Sequence, residues 1–135
     1  GNDRDVLTET DVVGVLREYR QRGVILGIGL SGKTVEGARL ALPWADALMI
    51  KFHPHDASQG PVIEEARRRN VAVFVKKGLG SGNIPPGEAI PFSLQHPGVT
   101  SLIIGGLNLN HFRANWELAR RHAAAGSEFR KIHSE

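Results

Sequence analysis

Four apolar runs recur along the chain at near-even intervals: "VILGIGL" at 24–30, "DALMIKF" at 46–52, "VAVFV" at 71–75 and "VTSLIIGG" at 99–106. Each is near-continuous in its apolar residues rather than alternating, the mark of a strand buried on both faces, as in parallel sheets covered by helices. The intervals are roughly 22–30 residues, about one βα unit each. Helical spacing fills the gaps. "TVEGARLAL" ends at Pro43, "GPVIEEARRRN" carries Pro61 in its first turn, and "AIPFSLQHP" is a short apolar segment before the fourth run. Ahead of the first run, Thr8 and Asp11 form a T-x-x-D capping pattern before Val12, Val13, Leu16 and Tyr19, and Gly23 is the expected stop. After the last run, "LNHFRANWELARRHAAA" reads as a helix. The domain is expected to span 1–125, with 126–135 a polar, frayed tail.

The order α-β-α-β-α-β-α-β-α has two known closed solutions: an open doubly wound sheet, or an eight-stranded βα barrel. Four strands cannot close a barrel alone.

Composition narrows the class. The apolar fraction of 41% and charged fraction of 23% are those of a globular chain. Cysteine is absent, which excludes disulfides and thiolate metal sites and suits a reducing cytoplasmic setting. No apolar run approaches the roughly 18–20 residues of a membrane helix, so no membrane partner is expected. The chain opens on Gly1 without a signal peptide, and an upstream part is expected to lie outside it. The net charge of +3 is spread over helical stretches in which acids accompany the arginines, so nucleic acid is not the expected partner either.

"GIGLSGKT" at 27–34 matches the G-x-x-x-x-G-K-[ST] pattern of a nucleotide-binding loop. Such a loop has its first glycine at the end of the strand. Here the apolar run continues through Ile28 and Leu30, which leaves only Ser31 to Lys33 as a turn. A strand-ending Asp for Mg²⁺ is also missing, with Asp56 a distant candidate. The stretch reads as a strand and a glycine-rich βα turn.

Three other stretches carry chemistry. "HPHD" at 53–56 offers His53, His55 and Asp56, but no clear third ligand strand, so a structural loop is expected and no metal site. "VKKGLGSG" ends a buried strand with Lys76 and Lys77 on opposite sides and follows them with Gly78, Gly80, Ser81 and Gly82, a loop suited to an anion. "GGLNLNHFRAN" places Asn108 as a helix cap, with His111, Arg113 and Asn115 in the first turns where a phosphate could sit.

Taken together, "VLREYRQRGVILGIGLSGKT", "GPVIEEARRRNVAVFVKKGLGSG" and "SLQHPGVTSLIIGGLNLNHFRANWELA" resemble the aldo-keto reductases from about Leu7 to Ala119. The likeness covers the later half of that family's barrel, strands five to eight with their helices. It implies parallel βα units forming half of a (βα)8 TIM-type barrel, with NADPH (NADP) lying across the carboxyl ends of the strands. It further implies that Ser31 touches the nicotinamide carboxamide, with Gly32 next to it where the family often has Asn, and that Lys76 stands where the family commonly has an aromatic ring. Leu79 and Ser81 belong to the pyrophosphate loop, which follows Lys77. Gly105 occupies, with Gly106, the place of a Lys-Ser pair that grips the 2′-phosphate, and His111 and Asn115, just after the Asn108 cap, lie at the adenosine end. The family's catalytic Asp, Tyr, Lys and His belong to the first four strands, so no catalytic residue is expected here and the chain alone should be inactive. The intact protein would reduce a small carbonyl substrate. Its partner would be the N-terminal half or, if the chain is a stand-alone assembly module, a second copy. An open-sheet protein recognising phosphate through Ser31 and Ser81 is a third reading.

Overall fold

The computed structural model describes residues 3–132, with side chains through His122. Four strands, β1 (Gly29–Ser31), β2 (Ala47–Lys51), β3 (Ala72–Lys76) and β4 (Ser101–Leu102), form one parallel sheet in the order β1-β2-β3-β4. Helices α3 (Val35–Ala41), α4 (Gly60–Arg68) and α5 (Pro86–Gln95) make the three crossovers. Parallel crossovers are right-handed, so a strand order that never reverses puts every connecting helix on the same face. A doubly wound sheet needs a reversal. Its absence, with four units present, makes this sheet half of a βα barrel.

Burial confirms the single covered face. Leu48, Ile50, Val73 and Val75 are fully buried and pack with Ala38 and Ala41 of α3 and Val62, Ile63 and Ala66 of α4. Their alternate neighbours Ala47, Met49, Ala72 and Phe74 face the other way, on the future barrel interior, and are only half-buried. Gly98 lets the segment before β4 cross close over α4, since a Cβ there would lie 2.8 Å from the Ile63 carbonyl oxygen.

The N-terminal region departs from the sequence expectation. One helix with a Thr8–Asp11 cap becomes two, α1 (Asp3–Glu9) and α2 (Val12–Gln21). Thr8 lies inside α1 with its hydroxyl on the Arg4 carbonyl, and Asp11 makes no side-chain cap bond. Gly23 does stop α2. At φ +70° it closes a Schellman turn, in which its N–H reaches the Arg20 carbonyl and that of Val24 reaches Tyr19.

The outer strands are shorter than their apolar runs. Val24 and Leu26 are exposed, at 59% and 98%, and β1 keeps three residues. β4 keeps two, although the Ile103 N–H still reaches Val75. At the other end α6 (Leu109–Ile132) continues through the stretch expected to fray, and residues 133–135 lie outside the described residues. Among the described residues no helix is long and apolar enough to cross a membrane.

Candidate functional site

All four strands point their carboxyl ends to one rim, where ligands bind in βα folds. The turn after β1 is the first element there. Thr34 caps α3, its hydroxyl accepting from Gly37 N–H at 3.0 Å. Asp3, arriving from α1, fills the rest of the turn. Its carboxylate accepts from Lys33 N–H (2.8 Å), Thr34 N–H (3.0 Å) and the Thr34 hydroxyl (2.8 Å). Burial pushes this carboxyl up, but the three hydrogen bonds together hold it below the ordinary range. The backbone donors that a nucleotide-binding loop would aim at phosphate are thus taken by the chain's own carboxylate. Gly27 also precedes the strand rather than ending it, so the P-loop pattern has no P-loop geometry. Gly32 is buried in this turn, and Ser31 is exposed at the mouth.

Lys76 reaches Ser31 across the inner face from β3, its Nζ donating to the hydroxyl oxygen at 2.9 Å. Two residues singled out in the sequence, 45 positions apart, therefore form one contact. Burial holds the Lys76 pKa below the ordinary lysine range; Lys77 and Lys33 lower it further, and Asp3 opposes them.

The next residues turn away. Lys77 and Ser81 take left-handed backbone, at φ +54° and +61°, a conformation that costs side-chain-bearing residues free energy and gathers at ligand sites. With Lys51, His53 and His55 they line a hollow of about 310 Å³. The loop expected at "HPHD" is present: Asp56 pairs with Lys51 and accepts from Ser58 N–H and hydroxyl, which drives its pKa far below the carboxylate range. Its oxygens serve the turn. His53 is buried and held below the ordinary histidine pKa by that burial.

A concavity of about 590 Å³ lies between the loop after β3 and the start of α6. It gathers Leu79, Gly105, Asn108, His111 and Asn115, five of the residues singled out above, with apolar walls from Ile84, Leu107 and Phe112. Asn108 is the cap that the sequence indicates, its Oδ1 accepting from Asn110 N–H (2.9 Å) and His111 N–H (3.3 Å). Phe112 N–H takes the Asn108 carbonyl. Most donors of that first turn are therefore satisfied internally, and a ligand here would meet side chains rather than a bare helix end.

Ser31 and Lys76 are thus together, Lys77 and Ser81 share the smaller hollow, and five residues share the larger groove. Gly32 is set apart beneath the first turn. Sequence reasoning missed Asp3, whose partners lie thirty residues away, and the Ile84 and Phe112 walls. Trp116, on α6, is 56% exposed.

The groove's apolar walls suit a purine ring, its His111 and Asn115 side chains a sugar or ring edge, and the nearby lysines a phosphate chain; the residues present fit a dinucleotide. No family model matches the sequence, and no curated protein does. Among solved structures, a Pseudomonas aeruginosa chain assigned to the aldo-keto reductases matches with TM-score 0.84 and 35% identity over 91% of this chain and 49% of its own. A second structure with the same assignment and organism gives 0.84, 33%, 91% and 48%. This chain spans about half the length of the structures it matches.

Proposed function

We propose, because the chain corresponds to the later half of an aldo-keto reductase barrel, that it supplies the dinucleotide-binding half of an NADPH-dependent carbonyl reductase and none of its proton-transferring residues. The observation that carries this reading is the 590 Å³ groove, which brings residues after β3 and residues after β4 to one ligand-sized cleft.

NADPH, when bound, supplies the hydride for a carbonyl carbon. This chain's residues bind and orient. Leu79, Ile84 and Phe112 would hold the adenine and exclude water from it, while His111 and Asn115 would offer polar edges. Lys77, exposed on the strained loop, would serve the phosphates. Ser31, whose oxygen already accepts from Lys76, keeps its own proton free to donate at the nicotinamide end. The acid that protonates the carbonyl oxygen belongs to the complementary half.

Titration of the 135-residue chain with NADPH, followed by calorimetry, tests this. Saturable binding that weakens about tenfold in Asn115→Ala or His111→Ala supports the reading, as expected for losing a hydrogen bond or ring contact inside a cleft. Absence of binding sinks it. Carbonyl-dependent oxidation of NADPH by the chain alone would contradict the division of labour.

A specific observation favours a second reading beside it. The inner sheet face is half-open, and β1 and β4 present unpaired edges. A second copy of the chain could cover them, and the protein would then act as a self-associating half-barrel.

A further inference from the structure

The segments that leave β2 and β3 meet at the hollow of about 310 Å³. Lys51, His53 and His55 line it from the β2 side, and Lys77, Ser81 and Asn83 from the β3 side. Of its lining it shares only Ile84 with the 590 Å³ groove, so the loop after β3 borders two different cavities.

His53 is the member that asks for a ligand. It is 8% exposed, and its Nδ1 is buried without a hydrogen-bond partner. A buried polar atom left unpaired costs free energy unless something arrives to meet it. Burial keeps the imidazole neutral, so it offers one donor and one acceptor nitrogen. The charge around it is positive. Among the described residues no Asp or Glu side chain lines the hollow, and no carboxylate lies within ion-pair distance of Lys77. Lys51 spends one bond on Asp56 and keeps two N–H donors. Two ammonium groups repel a cation, and among the described residues no three metal-ligating side chains gather.

We propose that this hollow is a phosphate-binding site separate from the dinucleotide groove, taking inorganic phosphate or the phosphate group of a small ester. Phosphate oxygens accept from the ammonium groups and from the Ser81 hydroxyl. Near neutral pH part of a phosphate population also keeps one proton, so it can meet Nδ1 in either tautomer. A carboxylate or a sulfate can only accept. The inference goes beyond the dinucleotide reading and stands without it.

The experiment is calorimetric titration of the 135-residue chain with inorganic phosphate and with glycerol 3-phosphate, each with and without saturating NADPH. Saturable one-to-one binding is expected, within about twofold the same in both conditions. Lys51→Gln and His53→Phe should each weaken it about fivefold or more, and Asn115→Ala should leave it unchanged. Ser81→Gly removes the hydroxyl at a left-handed position that glycine accepts without strain, and should weaken binding without threatening the fold. Lys77 is left unaltered because cofactor phosphates would draw on it too. Phosphate should also shift the His53 imidazole nitrogen resonances. Tighter binding of the ester supports the site and assigns it to an organic phosphate; equal binding supports it and assigns it to the free ion. Absence of saturable binding overturns the inference, as does binding that none of the Lys51, His53 and Ser81 variants weakens. Displacement of phosphate by NADPH also overturns it, since the hollow would then belong to the dinucleotide site. Phosphate binding with this variant pattern but no NADPH binding leaves the inference standing and removes the dinucleotide reading.

Discussion

His96 shows how much of this molecule's behaviour is decided by single side chains. Its ring meets Phe52 edge-on at 5.4 Å, and its Nδ1 accepts from Gly98 N–H at 3.2 Å. Burial holds its pKa down, Glu64 pulls the other way, and Arg67 adds to the depression. A histidine whose folded pKa is depressed favours the neutral form, so the unfolded chain binds more protons near and below the ordinary value of about 6.5. Stability from His96, and from the similarly depressed His53, is complete above that value and lost as pH falls through it. Thermal midpoints should therefore decline between pH 7.5 and 5.5, and His96→Gln should flatten part of that decline. A midpoint that does not move over this range contradicts the assignment. Few of these residue-scale facts were readable beforehand. The Asn108 cap was, because a cap and its partners lie within three positions. Lys76 with Ser31, and Asp3 with Thr34, were not, because their partners come together only when separate βα units dock.

At the scale of elements, periodicity located every strand and crossover helix but overstated the outer strands. β2 and β3, paired on both sides, fill their apolar runs. β1 and β4 lack a second neighbour, and a strand without a ladder partner loses the hydrogen bonds that extend it. Hydrophobicity marks where a strand can be buried; pairing fixes its length. The capping pattern at Thr8 failed for a related reason. Nothing local distinguishes a cap from an in-helix threonine whose hydroxyl bonds back four residues, as Thr8 does to Arg4. The element that holds the half together is the layer between the sheet and α3 and α4. Leu48→Ala, at a fully buried position in that layer, should cost about 2–5 kcal/mol in denaturant unfolding. Thr34→Ala, losing the α3 cap, should cost about 0.5–2 kcal/mol. Equal losses in the two variants would mean that the outer layer is not the main source of cohesion.

For the whole molecule the open face dominates. α2 buries none of its residues fully, and its Val12, Val15 and Tyr19 stay exposed. Ile103, next to the β4 edge, is 45% exposed. Apolar surface joined to two free edges drives association. Light scattering should give a mass of about twice the 14.7 kDa of one chain, and Ile103→Lys should return it to 14.7 kDa. A wild-type chain at 14.7 kDa with high solubility would contradict this. The unbroken strand order has one more consequence, for the timing of folding. Gly29 pairs with Ala47, Ala47 with Ala72 and Phe74 with Ser101, so each strand needs only the unit made just before it. Pairing confined to neighbouring units lets a nascent chain build its sheet one unit at a time as synthesis proceeds. Building the sheet therefore needs nothing beyond the four units of this chain, and any closure into a ring would be a separate, later event.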